Sequence, residues 1–160
     1  MPTLPQLIEE DIAVINRALD TLIRSTESTT ALIIDKGGFL ISQRGDAPGV
    51  DSVTLAALAA GSFAATQTIA GLVNEPNFTS LYQQGEQSSL LVCNIDDFSL
   101  LAILFRAGLS VGVVKYYAAA TIKQVASQLE AATKRAPGEG VDLSLLNLAD
   151  TSSVFQRRTA

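Results

Sequence analysis

Residues 52–74 read SVTLAALAAGSFAATQTIAGLVN and carry no charge, with Asp51 and Glu75 on either side. Length and composition are those of one long helix. Asp51 is suited to cap it, because a carboxylate there accepts bonds from the first free backbone N–H groups and sits at the positive end of the helix dipole. At helical spacing, Leu55, Leu58, Ser62, Ala65, Ile69 and Leu72 predict a stripe that faces a core. A surface helix turns charged side chains to water on its other side. Here that side offers Ala57, Ala60, Gly61, Ala64, Thr68 and Gly71, a smooth ridge that another backbone can approach closely. The pattern predicts a helix covered on both sides, with another chain on the second. A central helix wrapped by the chain's own elements is the other soluble solution.

A stretch of about 20 apolar residues is also long enough to cross a bilayer. Ser52, Thr54, Ser62, Thr66, Gln67 and Thr68 are spread around this helix, however, and no basic cluster flanks it to orient a span. No membrane span is expected.

At 160 residues the chain is sized for one domain with its own core. A net charge of −5, with no Lys/Arg run and no aromatic platform, argues against a nucleic-acid partner. The start, MPTLPQLIEED, lacks the basic and apolar regions of a secretion signal, so a cytoplasmic location is expected. Histidine is absent, which removes the commonest general base and the commonest transition-metal ligand. There is no GxxxxGK[ST] to cradle phosphate and no Cys cluster for zinc, so neither cofactor nor metal is expected. Cys93, in the run LLVCNI, reads as a small buried hydrophobe. The pair Asp96-Asp97 lies between two apolar runs and reads as a turn. Catalysis by this chain alone is not expected, and no catalytic residue is assigned.

Along the chain, Thr3 followed by Gln6 matches a capping box, with Pro5 in the first turn. Ile8, Ile12, Ile15, Leu19 and Leu22 then stripe a first helix ending near Ser25. ALIID and FLISQR flank Lys36-Gly37-Gly38 as a hairpin. After the uncharged helix, stopped at Asn74-Glu75-Pro76, come three strand-like runs, NFTSLYQQ, SSLLVCNI and FSLLAILF. The last two are almost continuously apolar, as central strands covered on both faces would be. The first, with its Thr, Ser and Gln, reads as an edge strand, open to pairing with another chain. A final helix runs from after Gly108 to about Arg135, with Ala118, Ile122, Val125, Leu129 and Ala132 on one face. The order α-β-β-α-β-β-β-α predicts an α+β fold, a five-stranded antiparallel sheet with helices on both faces.

That order resembles the roadblock/LC7 fold, and within it the bacterial MglB-like regulators of Ras-like GTPases. The resemblance rests on the hairpin LIIDKGGFLIS, the helix SVTLAALAAGSFAAT and the junction LAILFRAGLSVGVVK, and it covers residues 12–134. It implies a roadblock domain over residues 1–135, and the Gly/Pro break APGEG that follows predicts a flexible tail over 136–160. It also implies a homodimer, joined through the helix of residues 51–74 and through the edge strand of residues 78–84. Such dimers are platforms for Ras-like small GTPases of the MglA type. They stimulate GTP hydrolysis by reshaping the GTPase's own switch regions, without an arginine finger. Carried over by position, the GTPase-facing stretch would be Ala57, Ala60, Gly61, Ala64 and Thr68, unless these serve only the contact between protomers. Arg44 and Arg106, at element ends, read as surface charges rather than fingers.

The tail departs from the family pattern, in which an acidic C-terminal segment can fold onto the GTPase. Here VDLSLLNLAD is apolar with two Asp, and the end FQRRTA is basic. Leucines spaced after a Gly/Pro break predict either a docking segment that folds on binding or an element that packs on its own dimer. Two other functions share this architecture. One is a non-catalytic roadblock scaffold. The other is a small-molecule sensor of PAS or profilin-like shape, for which the sequence offers no polar cluster in a cavity.

Overall fold

The computed structural model describes residues 4–135. Its elements are α1 (Glu9–Thr26), β1 (Thr30–Asp35), β2 (Leu40–Gly45), α2 (Ser52–Leu72), β3 (Ser80–Gln84), β4 (Ser88–Asn94), β5 (Ser99–Arg106) and α3 (Val111–Lys134). The strands form one five-stranded antiparallel sheet, as the sequence pattern predicts, and their order across it is β2-β1-β5-β4-β3. Thr3, and the tail read above as a docking or packing segment, lie outside the described residues.

The sheet separates two apolar layers because successive strand side chains point to opposite faces. Ala31 and Ile33, Leu91 and Cys93, and Leu101, Ile103 and Phe105 point to α1 and α3. Leu32 and Ile34, Val92, and Leu100 and Ala102 point to α2. That division explains why β4 and β5 are apolar at nearly every position. β3 lies at one edge, as its polar composition predicts, and Tyr82 stacks on Phe105 at 6.2 Å to hold it down.

The first helix starts later than the Thr3–Gln6 box would place it. Residues 4–8 are not helical, and Asp11 accepts a hydrogen bond from the Ile8 backbone N–H at 2.9 Å. The same carboxylate, fully buried, is gripped in bidentate fashion by Arg135 at 2.9 Å and by Gln128 Nε2 at 2.6 Å. A carboxylate anchored by these groups fixes where the helix begins. The start of α1 is thereby fastened to the end of α3. At the other end Glu27 takes the left-handed conformation, φ 55°, and stops the helix.

Asp51 caps α2 as expected, accepting from the backbone N–H of Val53 and Thr54 and from the Thr54 hydroxyl. The inward face of α2 differs from the expected one. Ala56, Ala59, Ala60 and Phe63 meet the sheet and Ala70 is also buried, whereas Leu58, Ala65, Ile69 and Leu72 are exposed. Leu55 is partly buried against the same layer. The reason is distance. Small side chains let the helix settle close to the sheet, with Phe63 as its one large anchor. Gly38, at φ +100° in the β1–β2 turn, is part of the same approach, since a Cβ there would lie 3.3 Å from Ala57 Cα.

Arg135, beside Asp11, holds that carboxyl down to about 2, below its ordinary 3.8. A depressed acid stabilises the fold above its unfolded value and loses that contribution as pH falls through its folded one. Asp11→Asn is therefore expected to cost about 2 kcal/mol at neutral pH. It should also flatten the loss of stability between about pH 4 and 2, measured by urea unfolding across that range.

Candidate functional site

No charge interrupts α2, yet of its residues only Ala56, Ala59, Ala60, Phe63 and Ala70 are buried. By length and composition alone this helix could cross a membrane. Here it lies across one face of the sheet with two adjoining strips turned outward. One strip is small: Ala57, Gly61, Ala64 and Thr68 are all exposed. The other is large and apolar: Leu58 is 66 % exposed, Ile69 51 % and Leu72 80 %. An exposed apolar area of this kind marks a contact surface.

Of the five residues carried over as partner-facing, four are on that outer surface. Ala60 is the exception, 4 % exposed and packed inward with Phe63 and Val92. Sequence reasoning missed Leu58, Ile69 and Leu72 as surface residues because it took the larger side chains for the core. The available signal was the inner spacing itself, in which positions 56, 59, 60, 63 and 70 recur at helical intervals and include the one phenylalanine.

One hydrogen bond and one concavity frame the site. Gln67 Nε2 donates to the Phe78 carbonyl at 2.8 Å, fastening α2 to the segment that leads into β3. Beside α2, Lys36 joins Ala60, Phe63, Ala64, Gln67 and Leu100 around a shallow concavity of about 270 Å³. Lys36 is the only charged residue of that lining among the described residues. At the head of the helix, hydrogen bonds from the Thr54 hydroxyl and backbone hold Asp51 below the usual carboxylate range.

β3 supplies the second open surface. Its residues Ser80–Gln84 carry no charge, and among the described residues the sheet order leaves one of its sides unpaired. The opposite edge is treated differently. β2 is joined to β1 through a register shift at Ile33/Ile34, and Arg44 on it pairs with Asp20 of α1 at 2.8 and 3.0 Å. Ser42 on the same strand donates to Asn16 of α1. These contacts put Arg44 on the face opposite α2, with its guanidinium engaged, and that guanidinium holds Asp20 below its ordinary range.

The remaining candidates have structural places. Asp96 Oδ1 accepts from the backbone N–H groups of Phe98 and Ser99 at 2.9 Å, so the pair makes the β4–β5 turn, as read. Burial pushes the Cys93 thiol up to about 11, which leaves it a protonated core side chain. Arg106 is exposed at the end of β5. What the α2 surface offers is apolar contact beside an open strand edge.

Fold and surface together define a three-layer α/β/α domain built to present one uncharged helix and one strand edge. The chain belongs to the Roadblock/LC7 domain family, whose model matches residues 14–105. Among solved structures it is similar to Myxococcus xanthus MglB, at 27 % identity and a TM-score of 0.75, over 81 % of this chain and 97 % of that one. The gliding protein MglB of Thermus thermophilus is similar at 29 % identity and a TM-score of 0.74, over 82 % and 99 %. An MglB solved in a tetrameric arrangement is also 29 % identical, with a TM-score of 0.76. A profilin from Acanthamoeba castellanii, at 14 % identity and a TM-score of 0.51, shares the fold alone. Curated protein sequences contain no match.

The two faces of α2 separate cleanly by substitution. Ala60→Arg should cost about 3 kcal/mol or more, because it forces a charge into the layer beneath the helix. Ala64→Arg, on the outer strip, should change the stability of the folded chain by less than about 0.5 kcal/mol. Thermal unfolding of the pair checks the assignment.

Proposed function

We propose that two copies of this chain form a cytoplasmic homodimer through α2 and the β3 edge, and that the dimer binds a Ras-like small GTPase of the MglA type over its paired α2 helices. In this reading the dimer stimulates GTP hydrolysis by reshaping the GTPase's own switch segments and supplies no catalytic group. The observation that carries it is the uncharged α2, settled on the sheet through alanines with its larger apolar side chains turned outward. Among the described residues, nothing covers them. Likeness to MglB structures at 27 % and 29 % identity, across almost their whole length, supports the same reading. So does the tetrameric arrangement of one of them, as a precedent for self-association. The small strip of Ala57, Gly61, Ala64 and Thr68 is the partner-facing surface, and Ala60 supports it from beneath.

The decisive measurement is single-turnover GTP hydrolysis by the Ras-like GTPase encoded nearest this gene, with and without the protein. Acceleration by orders of magnitude is expected. Binding without acceleration would make the protein a scaffold, and no binding would remove the GTPase from the reading. Ala64→Arg should abolish binding of the GTPase while the chain stays folded. Normal binding by that variant would show that the assigned face is wrong.

A further inference from the structure

On the side of the sheet away from α2, a second surface is open. α1 and α3 run antiparallel there, since Asp11 at the head of α1 meets Gln128 and Arg135 near the end of α3. Between the helices lies a groove of about 490 Å³ lined by Val14, Arg17, Thr21, Lys123, Gln124 and Gln128, among others. Among the described residues its charged lining is Arg17 and Lys123, with no carboxylate, in a chain whose net charge is −5.

Toward the head of α3 the same shoulder becomes apolar. Val113, Tyr116, Tyr117 and Ala120 recur at i, i+3, i+4 and i+7 and so share one side of the helix with Gln124. Tyr116 is 74 % exposed and Val113 50 %. The rings of Tyr116 and Tyr117 pack edge to face at 5.2 Å, and Tyr117 is 40 % exposed. An apolar strip that leads into a basic groove calls for a ligand with clustered apolar side chains and flanking acids.

We propose that the occupant is the chain's own segment 141–150, VDLSLLNLAD. Its leucines, Leu143, Leu145, Leu146 and Leu148, lie between Asp142 and Asp150, the complement of an apolar floor with a basic rim. Reach agrees with this. Residue 141 can lie at most about 20 Å from Arg135, and α3 rises about 17 Å between Gln124 and Arg135. A chain that doubles back therefore delivers residue 141 to the middle of the groove. Leu145 can lie up to about 33 Å from Arg135, against about 27 Å of helix back to Tyr117. The point of departure is also fixed, because Asp11 holds both Arg135 and the groove residue Gln128. A tether this short keeps the local concentration of the segment roughly millimolar, so modest contacts suffice to seat it. Docked there, the segment sits on the face opposite α2, clear of the surface assigned to the partner.

The chain has no tryptophan, so Leu145→Trp in the full-length protein gives a probe that reports this segment alone. The expected result is emission shifted to the blue of its value in denaturant, protected from acrylamide and unchanged on dilution. Adding Arg17→Glu with Lys123→Glu, or Tyr116→Ser, should return the emission to the solvent-exposed value while far-UV circular dichroism is unchanged. Leu148→Trp is a second probe, in case the first substitution itself weakens docking. Three outcomes would overturn the proposal. One is solvent-exposed emission from both probes in the otherwise unaltered chain. Another is a blue shift that ignores the groove substitutions. The third is a blue shift lost on dilution, which would place the segment in a neighbouring molecule.

Discussion

The close seat of α2 on the sheet governs the rest of the structure. Ala56, Ala59 and Ala60 place methyl groups where most sheet-covering helices place leucines, and Phe63 is the one large α2 side chain buried in the layer with Leu32, Val92 and Leu100. Close packing of this kind tolerates little added volume. Any larger residue at the three alanines would lift the helix. That would break the approach of Gly38 to the Ala57 backbone and shift both outer strips together. A helix so seated has turned its small side chains inward and has only its larger apolar ones and a glycine-containing strip to show outward. The exposed face of α2 is thus a direct result of how its buried face is made.

The opposite layer is built in the usual way, and the contrast is informative. α1 and α3 bury Ile15, Leu19 and Leu22, and Val125 and Leu129, against Ile33, Leu101, Ile103 and Phe105. Large aliphatic side chains face inward there and the charged ones other than Asp11 face outward, with Val113, Tyr116 and Tyr117 at the head of α3 also exposed. The buried Asp11 with Arg135 and Gln128 adds a polar clamp at one end of the pair. Among the described residues, the sheet side chains are buried under both layers, and on the α2 side it is the outer face of the helix that stays open. The asymmetry is a property of the sequence: α1 and α3 carry charged residues throughout, and α2 carries none.

Element order, the hairpin, the central and edge strands, and the Asp51 cap were all legible, because each rests on local chemistry. Alternation, glycine turns and cap carboxylates act over a few residues and leave a pattern that can be read directly. The orientation of α2 was not legible by size. When a helix is apolar all round, its buried side is set by which residues allow the closest approach to a partner elsewhere in the chain. Leu58, Ile69 and Leu72 were therefore read inward and are outward, and Ala60 was read outward and is inward. The start of α1 was misplaced for a related reason. Its anchor, Asp11, is held by residues more than a hundred positions away, a link that no local motif announces.

The edge strand constrains how the open face could be closed. If β3 pairs with its counterpart in a second copy, as proposed, two arrangements obey two-fold symmetry. Parallel strands need an axis along the strand, which flips one sheet and puts the two α2 helices on opposite faces. Antiparallel strands need an axis normal to the sheet, which leaves both α2 helices on the same face. Only the second arrangement brings Leu58, Ile69 and Leu72 of one protomer within reach of another uncharged helix. It also leaves two β2 edges as the outer limits of the joined sheet, and those are the edges secured to α1 through Arg44 and Ser42. Strand pairing and helix pairing are then one event. In that arrangement the uncharged β3 and the uncharged α2 would both lie in the contact.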